Sequence, residues 1–130
     1  MATAIFDSFF IICVKSVINT FSHSIIVNMV TDFSKQNSII NQFVAELRDI
    51  HVQTDRMRFR RNMERIGEIM AYEVSKELEY APKTVETPLG ELDINLISTQ
   101  PILGTILRAG LPLHQGFLNY FDKADNALSK

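Results

Sequence analysis

A mostly apolar run, Ile102 to Leu107, ends abruptly in Arg108-Ala109-Gly110. A guanidinium at the end of such a run can grip a phosphate with two parallel hydrogen bonds. A glycine beside it lets the backbone approach that phosphate closely. The same triplet can equally be a surface arginine closing a strand, and the residues alone leave both readings open. A second concentration of charge, Arg56, Arg58, Arg60, Arg61 and Arg65, raises the question of nucleic-acid binding. Glu64 and Glu68 neutralise part of it, and no run of aromatics is interleaved for base stacking. A solvated face or a subunit contact is the preferred reading, with no nucleic-acid partner expected. His23, His51 and His114 are far apart, and neither Cys-x-x-Cys nor His-x-x-x-His occurs, so no metal site is expected. His114 reads as a packing or surface residue rather than a catalyst. No pairing of a nucleophile with a general base stands out.

The composition bounds what these residues can belong to. A chain of 130 residues has room for one core, and 46% hydrophobic with 22% charged residues fits a folded class. Thirteen basic and 15 acidic side chains give a formal charge of -2, which creates no overall field for nucleic acid or anionic membrane. A single cysteine, Cys13, excludes an internal disulfide and fits a reducing compartment.

Residues 1–28 differ in character from the rest, with Phe6, Phe9, Phe10, Ile11, Ile12, Val14, Val17, Ile18 and Phe21. Lys15 splits this stretch, and residues 16–31 include Asn19, His23 and Asn28. A spanning helix needs roughly 20 mostly apolar residues, so no membrane role is expected. A secretory signal would open with positive charge and close on small residues, whereas Asp7 is the first charge here. The expectation is an apolar N-terminal extension that is not native, with Met29 as the natural start. Residues 29–130 are then read as the N-terminal part of one domain.

The elements that must position Arg108 are read from periodicity. Ile39, Ile40, Phe43, Val44, Leu47 and Ile50 place one apolar stripe on a helix, with Asn37 or Ser38 as its cap. Thr54 and Asp55 offer a second cap, before a helix whose apolar positions are Phe59, Met63, Ile66, Met70, Val74 and Leu78. Arg60–Glu64 and Arg65–Glu68 are expected to meet on its surface. Gly67 inside it signals either close packing or a tolerated weakness of about 1 kcal/mol. Ala81-Pro82 is expected to end this helix. Thr84–Glu86 and Leu92–Ile97 alternate across Thr87-Pro88-Leu89-Gly90, as a hairpin does. Ile102–Leu107 reads as a strand buried on both faces, and Leu113–Phe121 as a helix. The tail from Ala124 is not expected to form an element. A buried strand feeding a helix is the opening of an α/β sheet.

Thr105-Ile106-Leu107-Arg108-Ala109-Gly110-Leu111, ending in Gly116, resembles the strand-and-loop motif of uracil phosphoribosyltransferases. Leu47-Arg48-Asp49, Thr54, Phe59-Arg60 and Tyr72-Glu73 match that family's N-terminal helices in order, and Val85-Glu86-Thr87-Pro88 resembles its hairpin. The resemblance covers residues 37–128, and the variant is similar to the Bacteroides-type branch. Six motifs in order are far more specific than a lone Leu-Arg-Ala-Gly.

The resemblance implies an incomplete phosphoribosyltransferase-type α/β fold: two N-terminal helices, a β-hairpin, and the first core strand with its helix. It implies transfer of ribose 5-phosphate from 5-phosphoribosyl 1-diphosphate to uracil, giving uridine monophosphate and diphosphate in pyrimidine salvage. It further implies Mg2+ bound through the substrate diphosphate, a dimer or larger assembly, and a cytoplasmic setting. Arg108, Ala109 and Gly110 are the implied contacts to phosphoribosyl diphosphate. Three positions depart from the family's usual residues: Thr105 stands for proline, Pro112 for glycine and Gln115 for aspartate. Pro112 puts the shape of the loop after Gly110 in question. The family's Gly-Gly-Ser loop for the 5-phosphate has no counterpart, because the five glycines here are never adjacent. Its second diphosphate-binding arginine and its uracil-reading segment also have none. The chain is therefore expected to be inactive alone, as a truncated remnant or, alternatively, a non-catalytic protein–protein module.

Overall fold

A computed structural model describes residues 37–129, in the order helix, helix, hairpin, strand, helix, strand. The apolar stretch ahead of Met29, and Met29 itself, lie outside the described residues.

Helix α1 (Ile39–Arg48) begins after Ser38, whose backbone carbonyl, not its side chain, takes the first hydrogen bond. Its stripe buries Ile40 and Leu47 and half-buries Phe43 and Val44, while Ile39 and Ile50 stay in solvent. Helix α2 (Arg56–Ser75) is capped by Asp55 rather than Thr54: Asp55 Oδ1 accepts from the amides of Met57 and Arg58, both at 3.0 Å. Two of the donors that a helix start leaves without partners are satisfied this way.

The end of α2 differs from expectation. The helix stops at Ser75, and the amides of Lys76, Glu77 and Leu78 bond three residues back, at 3.2, 3.1 and 3.3 Å. Leu78 still packs on the core from this tightened turn, so its apolar period extended the expected helix past its real end. Ala81 and Pro82 lie in a strand instead. Pro82 stands opposite Asn95 in a two-stranded ribbon, where a missing N–H is tolerated.

That ribbon comprises β1 (Tyr80–Thr87) and β2 (Gly90–Ile97), antiparallel from Tyr80↔Ile97 to Thr87↔Gly90 and longer than expected toward its base. Its turn is Pro88-Leu89, followed by Gly90 at φ 129, a conformation that only glycine takes freely. The Thr87 hydroxyl donates to the Gly90 carbonyl at 2.6 Å and accepts from the Leu89 amide at 3.3 Å.

Strand β3 (Ile102–Ile106) runs into the loop 107–110, then α3 (Leu111–Leu118), then β4 (Asp125–Ser129). Strand β4 pairs in parallel with β3 from Ile102↔Asp125 to Ile106↔Ser129, so the tail does form an element. Its signal was weak because Asp125-Asn126 and an exposed Leu128 lack the apolar alternation of a half-buried strand. Strand β3 is also less enclosed than expected: Leu103 is buried, but Ile106 is 52% exposed. Helix α3 begins two residues earlier than its apolar spacing suggests, because Pro112 fits the first turn, where its missing N–H has no role. After Leu118 the chain winds on through turns, with the amides of Tyr120 and Phe121 bonding to Phe117 O.

Among the described residues two hydrophobic clusters fill the interior. Leu47, Met63, Ile66 and Leu113 join α1, α2 and α3, while Ala71, Leu103, Phe117, Phe121 and Ala124 join α2, β3 and α3. Met70 packs against both. From the ribbon, Ile97 at the base of the hairpin packs on this core.

Candidate phosphate-contacting loop

The β3–α3 loop is held from both sides by burial. Leu103 is 1% exposed beneath α3, and Leu113 and Phe117 fix α3 at 3% and 1%. Between these anchors the chain makes a short turn. The Gly110 amide donates to Ile106 O at 3.3 Å, the Leu111 amide to Arg108 O at 3.2 Å, and the His114 amide to Gly110 O at 2.9 Å. Gly110 is buried, while Arg108 and Ala109 are exposed at the tip. The Leu107–Arg108 peptide bond is cis.

The three residues singled out from the sequence thus sit together, at the C-terminal end of β3 and against the first turn of α3. In a parallel α/β unit this end of the strands faces ligands. Among the described residues no acidic side chain forms an ion pair with Arg108. The early start of α3 is the feature that periodicity missed. It brings the positive end of a helix dipole to the same loop, and the available signal was a proline suited to a first helical turn.

The arginine cluster is elsewhere, on α2, and three of its members are engaged within the chain. Arg58 Nε lies 3.1 Å from Glu46 of α1, and Arg61 lies 2.7 Å from Glu64. Arg65 donates to Asn62 Oδ1 at 3.2 Å and stacks over Phe43, 5.3 Å from its centroid. The surface pairing therefore differs from expectation. Glu64 is taken by Arg61 rather than Arg60, and Arg65 turns toward α1 instead of Glu68. Asn119 donates to Glu68 at 2.8 Å and to Glu64 at 3.2 Å, binding α3 to α2. Asn62, 1% exposed, is satisfied by Glu46 at 2.7 Å and by Arg65.

Among the described residues no group of three or more His, Cys, Asp and Glu side chains converges as metal ligands. His114 is half-buried on α3 and His51 is exposed in the α1–α2 turn, well separated in the chain. No helix of the described residues is long and apolar enough to cross a membrane.

Residues 34–127 match the family model of uracil phosphoribosyltransferase. A uracil phosphoribosyltransferase of Porphyromonas gingivalis is 55% identical over 92 residues, which cover 71% of this chain and 43% of that protein. A Pyrococcus furiosus uracil phosphoribosyltransferase is 32% identical over 87 residues, covering 65% of this chain and 37% of that protein. The chain thus spans less than half the length of these relatives. The fold resembles that of the AQ2163 protein from Aquifex aeolicus, with a TM-score of 0.60 at 23% identity, over 72% of this chain and 44% of that one. A match over residues 34–127, with the strand, loop and helix in place, shows that the chain belongs to the uracil phosphoribosyltransferase family.

Proposed function

We propose that this chain supplies the diphosphate-contacting part of a uracil phosphoribosyltransferase, which converts uracil and 5-phosphoribosyl 1-diphosphate to uridine monophosphate and diphosphate. The observation that carries the proposal is the placement of Arg108 at the C-terminal end of β3, beside a buried Gly110 and the start of α3. In the reaction the bond from the anomeric carbon to the diphosphate oxygen breaks, its electron pair leaving with diphosphate, and a bond to a uracil nitrogen forms as that nitrogen loses its proton to the medium. Negative charge then grows on the departing diphosphate. A preorganised guanidinium stabilises that charge more in the transition state than before it. Ala109 keeps the tip small, and Gly110 keeps the loop close to its strand. Mg2+ enters in this reading as part of the substrate's diphosphate, not on ligands of this chain.

The 130 residues are not sufficient for turnover in this reading. They contain no adjacent glycines to cradle the 5-phosphate and span 43% of the Porphyromonas relatives. Assembly into a homo-oligomer is part of the proposal, supported by the hairpin. Opposed residues of an antiparallel ribbon share a face, so Ala81 and Leu96, Lys83 and Ile94, and Val85 and Leu92 form one mostly apolar side. Leu92, Ile94 and Leu96 are all exposed there, which also favours a protein–protein module as the second reading. The reading sets the protein in the cytoplasm, with its substrates.

The test is formation of labelled uridine monophosphate from uracil, phosphoribosyl diphosphate and magnesium by the purified chain. Background turnover, together with magnesium-phosphoribosyl diphosphate binding that Arg108→Ala abolishes, is the expected result. Turnover by the chain alone would overturn the claim of insufficiency. Binding indifferent to Arg108 would overturn the assignment of the loop.

A further inference from the structure

Residues two apart on a strand project to the same face, so Thr105 shares the inward side of β3 with the buried Leu103. Thr105 is half-buried and is the last residue on that face before the chain turns. Gly110 closes the turn directly against it. A Cβ on Gly110 would collide with Thr105 Oγ1, would lie 3.0 Å from Ile106 O, and would be 3.7 Å from Thr105 Cβ. Gly110 has φ -74, which any residue adopts, so space and not backbone conformation demands glycine here.

Gly110 is therefore held on three sides. Thr105 lies under it, its N–H is tied to Ile106 O, and its carbonyl takes the His114 amide of α3. Only Ala109 separates this fixed point from Arg108. Gly110 rests against Thr105 Oγ1, two residues from the backbone from which Arg108 reaches out. Catalytic geometry tolerates little error: a misplacement of about 1 Å can cost about a hundredfold in rate.

We propose that Thr105 is the positioning residue of the Arg108 loop, acting through its contact with Gly110 and not by touching the ligand. That Arg108 is thereby positioned for a phosphate rests on the functional reading above. The positioning itself rests on the contact alone.

The experiment compares amide hydrogen exchange in the full chain with that in Thr105→Ala, Thr105→Ser and Gly110→Ala. Exchange is expected to be about tenfold faster at Gly110 and Leu111 in Thr105→Ala, with the α2 amides of Ile66 and Ala71 unchanged. Thr105→Ser keeps the oxygen and is expected to stay within about threefold of the parent. Unchanged loop exchange in Thr105→Ala, or equal acceleration throughout the chain, would overturn the proposal. If Gly110→Ala fails to fold, the two Thr105 variants decide alone. Magnesium pyrophosphate titrated into the same proteins supplies the separate arm. Binding weakened in Thr105→Ala and restored in Thr105→Ser is expected, whereas no binding by the parent would remove the phosphate reading and leave the exchange result to judge the contact.

Discussion

Gly67 of α2 and Gly116 of α3 meet backbone to backbone, with no side chain between them. A Cβ built on Gly67 would lie 3.2 Å from Gly116 Cα and would collide with Leu113 O. A Cβ on Gly116 would lie 2.9 Å from Gly67 Cα and would collide with Glu64 O. Of the two meanings that a mid-helix glycine at 67 carried, close packing is the one realised. The approach lets Asn119 reach both Glu64 and Glu68 and presses α3 onto the core beside the Arg108 loop.

That contact reverses the usual sign of a helix substitution. Glycine to alanine inside an exposed helix stabilises by about 1 kcal/mol. Gly67→Ala and Gly116→Ala are instead each expected to destabilise by roughly 1–3 kcal/mol, because the methyl group has only backbone to displace. Urea unfolding measures this, and a gain in stability in either variant would sink the contact.

The choice of Asp55 over Thr54 as the α2 cap is separable by mutation. Asp55→Ala is expected to cost about 1 kcal/mol by leaving two helix amides without their acceptor. Thr54→Ala, at a position outside the cap, is expected to change stability by less than about 0.5 kcal/mol. Thermal or denaturant midpoints of the two variants decide between them.

Glu64 links stability to pH in a defined direction. The hydrogen bond from Arg61 holds its carboxyl below the usual range; partial burial opposes this, while Asn119 and the charges of Arg61 and Arg65 add to it. A carboxyl depressed in the folded state stabilises fully above its unfolded pKa and loses that contribution as pH falls through the folded value. Melting temperature is therefore expected to fall less for Glu64→Gln than for the parent between about pH 6 and about pH 3. The pair is half-exposed, so the difference is expected to be small and to shrink with salt. A steeper acid loss in the variant would contradict the assigned sign.

The hairpin face tests the proposed assembly. Ile94→Lys and Leu96→Lys place charge on a side chain that is 43% and 39% exposed, so the fold of one chain should tolerate it. Sedimentation is expected to show a homo-oligomer for the parent and a smaller species for the variants, with unchanged circular dichroism. A monomeric parent, or variants that assemble like it, would remove the hairpin from the interface.

Much of this architecture is legible in residue order. The stripe from Ile40 to Leu47, the period through Met63, Ile66 and Met70, and the alternation flanking Pro88-Leu89 each answer to a local backbone repeat, and each produced its element. The loop was legible because an apolar run that stops at arginine and glycine marks a strand end. The errors arise where a local signal met a tertiary demand. Leu78 continues the helical period but serves the core from a turn, and Pro82 breaks helices yet is accommodated in a ribbon. Strand β4 has almost no pattern of its own and exists by pairing with β3.

By itself the sequence determined the order of the helices, hairpin and strand-to-helix loop, because caps, turns and hydrophobic periods act over a few neighbouring positions. Only the tertiary structure decided which partners those residues meet. Glu64 taking Arg61, Arg65 turning to Phe43, Gly67 lying on Gly116 and Thr105 lying under Gly110 all depend on how two elements cross. That crossing is set by the packing of side chains distant in the chain, which no local spacing encodes.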